Sequence, residues 1–240
     1  MKIKKLLFAS ALLFSAYNAS AQTQVIAHRG FWKTEGSAQN SIAALLKADS
    51  IGCYGSEFDV WLAADDQLVV NHDPTFKGKR MENSPSTALT AIKLDNGESL
   101  PTLAKYLKAA QPLHTRLILE LKAHSTPLRE TKAIEKIVAL VKDMGLEERM
   151  EYITFSLHAT KEFIRLAPKG TPVYYLDGNL SPKELKELGC AGPDYHYTVF
   201  RKHPEWIQEC HDLGMKVNAW TVNKTDAVSY THLTLPTTER

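Results

Sequence analysis

Cysteine is scarce in this chain. Only Cys53, Cys190 and Cys210 occur in 240 residues, and they stand far apart. Three cysteines cannot form a fully paired disulfide framework, and with no Cys-x-x-Cys or His/Cys cluster nothing points to a zinc site. They read as small buried hydrophobes, with one disulfide in an oxidising compartment as the alternative. Excess charge is also missing: 29 Lys+Arg against 27 Asp+Glu leave +2, and the basic residues are scattered. That excludes the long-range basic field of a nucleic-acid binder. Repeats and low-complexity tracts are absent, and beyond the first residues no apolar run is long enough to span a bilayer. What is present is ordinary globular usage, 44% hydrophobic and 23% charged, in a length that suits one domain with a substantial core.

The N-terminus reads as a targeting signal. Lys2, Lys4 and Lys5 form a positive region, Leu6 to Tyr17 is an apolar stretch short for a membrane span, and Ala19-Ser20-Ala21 resembles a cleavage site. Residues 1–21 are therefore set aside as a signal peptide, and the product is expected to be exported, periplasmic or secreted, with no transmembrane anchor after cleavage.

Three short segments then carry most of the chemistry. His28-Arg29-Gly30 follows the strand-like apolar run Val25-Ile26-Ala27, Glu57-Phe58-Asp59 sits in the strand-like Ser56 to Leu62, and Leu68-Val69-Val70 reads as the next barrel strand, delivering Asn71-His72-Asp73 at its C-terminal end. Residues two apart in a strand share a face, so Glu57 and Asp59 can hold one cation between them. Carboxylate oxygens suit a hard metal, positive charge suits an anionic phosphorus centre, and imidazole suits proton transfer near neutral pH. Further on, Glu120 and Lys122 share one face of a strand whose Leu119 and Leu121 point to the other. A buried strand has no cheap place for charge, so this pair belongs at a site or at a strand end in solvent.

Helical and strand-like runs alternate through the rest. Helices are expected at 41–51, 102–110, 129–144, 158–166, 182–188 and 204–213, and further strands at 117–121, 152–156, 173–176 and 216–222. A polar loop of roughly two dozen residues, about 74–98, follows His72 and is longer than compact domains usually carry. The alternation predicts an α/β fold, a (β/α)8 barrel of the TIM type, and such barrels place their chemistry at the C-terminal ends of the strands. Trp220 shares a strand face with Asn218 and reads either as barrel core or as a pocket wall. After Thr225 the alternation stops. Residues 229–240 have neither helical nor strand periodicity, so the chain is expected to lack the last helix and eighth strand, with a barrel domain over 22–228 and an irregular or non-native tail.

The four motifs, His28 to Gly30, Glu57 with Asp59, His72-Asp73 and Glu120-Leu121-Lys122, resemble in kind and order those of the glycerophosphodiester phosphodiesterase family, over roughly residues 25–223. The resemblance implies that His28 and His72 are the acid–base pair and that Glu57, Asp59 and Glu120 bind the metal. It places Arg29 and Lys122 at the phosphate, and it favours the pocket-wall reading of Trp220. The family's loop asparagine is matched by Asn40, but Gln39 stands where glutamate is usual, which removes one negative charge near the site. The expected activity is metal-dependent hydrolysis of a small glycerophosphodiester to glycerol 3-phosphate and an alcohol. All-oxygen ligation favours one divalent cation, Ca²⁺ or Mg²⁺. The alternatives are a related barrel phospholipase, phospholipase D-like or phosphoinositide-specific, which should carry an apolar or basic membrane-facing loop, and a non-catalytic binding protein, which should lack a histidine or a metal carboxylate. Neither the head group nor the oligomeric state is legible in the sequence.

Overall fold

Alternating strand faces build the scaffold. A computed structural model describes residues 24–222; the expected signal segment at 1–21, the break after Thr225 and the tail at 229–240 lie outside the described residues. The strands are β1 (Ile26–Ala27), β2 (Gly55–Leu62), β3 (Leu68–Val70), β4 (Thr75–Phe76), β5 (Lys79–Arg80), β6 (Arg116–Leu121), β7 (Met150–Thr154), β8 (Val173–Tyr175), β9 (Gly192–His196) and β10 (Asn218–Trp220). The helices are α1 (Ile42–Ser50), α2 (Ser86–Thr90), α3 (Leu103–Ala110), α4 (Pro127–Asp143), α5 (Leu157–Leu166), α6 (Pro182–Leu188), α7 (Tyr197–Lys202) and α8 (Glu205–Asp212). Seven strands pair in parallel in the order β1-β2-β6-β7-β8-β9-β10, an arc of a (β/α)8 barrel with helices outside.

The period-2 pattern sorts each strand's side chains between two cores. On β6, Leu117, Leu119 and Leu121 face outward into a cluster with Leu45 of α1, Tyr106 of α3 and Ile134 of α4. Ile118 faces inward with Ile26, Ile153, Tyr174 and Leu176. On β2, Phe58 packs on Tyr106 with ring centroids 4.5 Å apart, which leaves its neighbours Glu57 and Asp59 on the inner face. Burying one large apolar ring of this kind contributes about 2–3 kcal/mol, so β2 is held chiefly from its outer side. α1 begins where the sequence places a cap, with the Ser41 hydroxyl accepting from Ala44 N at 3.0 Å.

Three expectations need correction. Leu68–Val70 is not a barrel strand: β3 runs antiparallel to β2, with Leu62 opposite Leu68 and Val60 opposite Val70, so His72 comes from a returning hairpin arm and not from a parallel strand end. A strand missed in the sequence, β9, takes its place among the seven. Its Gly192-Pro193 start looks like a turn, yet Gly192 is required there because a Cβ would lie 1.8 Å from Lys216 O. Nor is the segment at 74–98 a plain polar loop. It holds the β4–β5 hairpin, a 3₁₀ turn at Met81–Asn83 and α2, and it buries Met81, Leu89, Ile92 and Leu94 with Trp61, Val69 and Leu100. Glu98 then accepts from the N–H groups of Ile42 and Ala43, both at 3.1 Å, and ties this insertion to the start of α1. Cys190 and Cys210 are buried in the apolar cluster under β8 to β10, Cys53 is half-buried, and all three are free.

Candidate active site

The first motif depends on a backbone shape. Arg29 and Gly30 both have positive φ, +57° and +75°, so the chain turns sharply after β1. At Gly30 a Cβ would lie 2.6 Å from Ala44 Cβ and 2.7 Å from its carbonyl carbon, so α1 can approach only a glycine here. The turn aims the Arg29 N–H at Glu57 Oε2, 2.7 Å away, and sets His28 Nε2 3.9 Å from the same oxygen.

Three carboxylates meet beside this turn. Glu57, Asp59 and Glu120 are buried, and one oxygen from each lies within 4.8 Å of the others. The register explains it: Asp59 pairs with Glu120 across β2 and β6, and Glu57 is two residues away on the same face. Lys122, just past β6, answers them with its Nζ 2.7 Å from Glu120 Oε1 and 3.2 Å from Asp59 Oδ1. Asn40, at φ +59°, clasps Asp59 twice, donating from Nδ2 to Oδ2 at 2.8 Å and accepting the Asp59 N–H at 3.0 Å.

Their environments separate the three acids. Burial pushes the Asp59 carboxyl up, but Lys122, His72, the Asn40 amide and Arg29 together hold it below the ordinary carboxylate range. Burial, then the Asp59 and Glu120 charges, drive Glu57 well above that range. Burial and the neighbouring Asp59 push Glu120 up to about 8. Fully ionised, three acids facing one ammonium would carry two excess negative charges, which a divalent cation would neutralise. Glu57 Oε1 is also buried with no hydrogen-bond partner among the described residues. The residues present therefore fit a metal ion, and Glu57, Asp59 and Glu120 could hold it.

A cavity of about 140 Å³ opens beside the cluster, bordered by His28, Arg29, Glu57, His72, Glu120 and Lys122. Across from them Ile153, Phe155, Leu176 and Trp220 supply an apolar wall, with Asp194 among them. Trp220 thus borders the cavity, its Nε1 donating to Asp194 O at 3.1 Å and its ring edge-on to Phe155 at 5.9 Å. His72 Nδ1 lies 2.8 Å from Asp73 Oδ1. His72 also borders a second cavity of about 280 Å³ between the loop at 32–40 and the insertion, which Trp32, Phe76 and Asp95 line.

Every site residue expected from the sequence is brought to this one place, Asp59 sitting just behind the lining. Gln39 orients the Arg29 guanidinium, because its Oε1 accepts from Arg29 Nη1 at 2.6 Å. Arg29 Nε is left buried without a partner among the described residues. Two further residues at the site escape a reading of the sequence. His124 accepts the Leu62 N–H on Nε2 at 2.9 Å, so its Nδ1 carries the proton and donates to Lys122 O at 2.6 Å. That fixes the backbone which presents Lys122, and the Lys-x-His spacing after a charged strand end was the available signal. Asp194 was missed because its strand was missed; burial, then the Glu151 charge, push its carboxyl up to about 7.

The glycerophosphoryl diester phosphodiesterase family model matches residues 28–235. A glycerophosphodiester phosphodiesterase of Caldanaerobacter subterraneus subsp. tengcongensis is 28% identical over 218 residues, spanning 85% of this chain and 87% of that protein. The crystal structure of a glycerophosphodiester phosphodiesterase from Parabacteroides distasonis superposes with a TM-score of 0.87 at 52% identity, covering 90% of this chain and 92% of the other. A phosphodiesterase from Oleispira antarctica, solved with the product sn-glycerol-3-phosphate, is 25% identical with a TM-score of 0.72, covering 86% and 87%.

Proposed function

The chain belongs to the glycerophosphoryl diester phosphodiesterase family of enzymes, and on that premise we propose that it hydrolyses glycerophosphodiesters to glycerol 3-phosphate and an alcohol with a divalent cation and a histidine pair. The observation that carries this reading is the convergence of Glu57, Asp59 and Glu120 beside a cavity that His28, His72, Arg29 and Lys122 all border. A bound ion would act as a Lewis acid on a phosphoryl oxygen, and the all-oxygen donor set suits Ca²⁺ or Mg²⁺.

The chain's own groups do the rest. Arg29 and Lys122 bring positive charge to the anionic phosphorus centre, and the unpartnered Arg29 Nε is a donor left over for a phosphate oxygen. One imidazole of His28 and His72 removes a proton from the attacking oxygen as its bond to phosphorus forms. The other gives a proton to the departing oxygen as the old P–O bond breaks, so the alcohol leaves neutral. Asp73 holds the His72 ring through Nδ1, and because His72 borders both cavities the two ends of a diester have room on either side of it. The Oleispira antarctica relative is solved with sn-glycerol-3-phosphate, the product this reaction would release.

The direct test is release of glycerol 3-phosphate from glycerophosphocholine and glycerophosphoethanolamine, before and after EDTA and after adding back Ca²⁺ or Mg²⁺. Loss on chelation and recovery with metal are expected. Undiminished turnover after exhaustive chelation would remove the cation from the mechanism, and inertness toward both diesters with metal present would remove the substrate class.

A further inference from the structure

The proposed reaction leaves one buried acid beside the cavity without a role. On β9, Tyr195 packs into the outer apolar cluster, so strand alternation turns its neighbour Asp194 inward. Asp194 is 4% exposed and borders the same cavity as Arg29, Glu120 and Lys122. Its backbone carbonyl accepts from Trp220 Nε1, but among the described residues no donor reaches its carboxylate. A buried carboxyl without a partner is costly in a scaffold, and it is what a hydroxyl-bearing ligand would satisfy.

The two sides of the cavity divide the substrate's chemistry. The β1, β2 and β6 side carries the basic groups and the carboxylate cluster. The β7 to β10 side offers Ile153, Leu176 and Trp220 with Asp194 as its charged group. A glycerol unit has that mixed character, carbon-bound hydrogens for the apolar wall and hydroxyls for the acid. Strand-borne walls also suit the part common to every glycerophosphodiester, whereas the second cavity, edged by Trp32 and Phe76, suits the alcohol that varies.

We propose that Asp194 is a specificity-determining residue that hydrogen-bonds the free hydroxyls of the substrate's glycerol unit. The proposal rests on the phosphodiesterase reading for the identity of that unit. Its test is binding, by calorimetry in one Mg²⁺ or Ca²⁺ buffer, of sn-glycerol 3-phosphate and of propyl phosphate, which lacks the hydroxyls. The wild-type chain should prefer the first by at least about 10-fold. Asp194→Ala should bind both about equally, with its affinity for propyl phosphate within about 3-fold of wild type, and Asp194→Asn should fall between. A preference kept intact in Asp194→Ala, or an equal loss of both ligands, would overturn the assignment. If Asp194→Ala does not fold, Asp194→Asn decides, and an unchanged preference there overturns it as well. Hydrolysis by the wild-type chain is followed in parallel, so a failure of the enzymatic reading shows as absent turnover, separately from the hydroxyl preference.

Discussion

Replacing Glu120 with glutamine should make the metal-free protein more stable while abolishing its activity. Burial and the adjacent Asp59 charge push the Glu120 carboxyl from 4.5 up to about 8. Between those two values the folded chain holds a proton that the unfolded chain has released, so stability falls as pH rises through that window and levels off above it. About 3.5 pH units at about 1.4 kcal/mol each set a ceiling of about 5 kcal/mol. Glutamine also gives up the ion pair with Lys122, 2.7 Å away, and the cavity wall relaxes around a charged cluster, so about 2 kcal/mol is the expected gain for Glu120→Gln near pH 8.5. In a domain of this size that is a rise of about 4–8 °C in midpoint. The assay is thermal unfolding of both proteins in EDTA from pH 5 to 9, repeated with Ca²⁺ or Mg²⁺. The parent should lose midpoint with rising pH in EDTA and recover it with the ion, because a cation that binds only the folded chain stabilises by mass action. A flat parent profile in EDTA, or a variant less stable than the parent at pH 8.5, would refute the idea that the cluster stores repulsion for a cation.

Three further outcomes are expected. His28→Ala and His72→Ala should each lower turnover of a glycerophosphodiester by at least about 100-fold with an unchanged unfolding midpoint, and near-normal turnover in both would remove them as the acid–base pair. Asn40→Ala takes from buried Asp59 one donor and one acceptor and leaves alanine at φ +59°, so urea unfolding should show a loss of about 2–4 kcal/mol together with weaker cation binding. Gly30→Ala must push α1 away from the turn at φ +75°; about 2–4 kcal/mol should be lost, and a variant within about 0.5 kcal/mol of the parent would show that the contact with Ala44 is soft.

Much of the site was legible because its signals are local. The alternation of Glu57, Phe58 and Asp59 puts both acids on one strand face in any sheet, and Glu120 with Lys122 obeys the same period. Strand ends that carry charge, repeated between helices, point to a barrel rim. Those inferences needed only the geometry of one strand at a time, and the structure gathers Glu57, Glu120 and Lys122 around one cavity with Asp59 just behind its lining.

What eluded the sequence depends on partners remote along the chain. The direction of Leu68–Val70 is set by its pairing with β2, and a three-residue apolar run reads alike whether parallel or antiparallel. Gly192–His196 begins with turn residues and carries a buried acid, so its local preference opposes a strand; it becomes one because Gly192 lets Lys216 come close and because β8 and β10 pair with it on either side. The segment at 74–98 looks solvent-facing until Met81 and Leu89 meet Trp61 and Val69. Composition and period thus determined the class of fold, the inward face of each recognised strand and the kinds of group at the site. Tertiary structure alone decided that Gln39 holds Arg29, that Leu62 pins the His124 ring beside Lys122 and that Asp194 enters the cavity, since each of these contacts joins side chains or strands whose nearness no local pattern encodes.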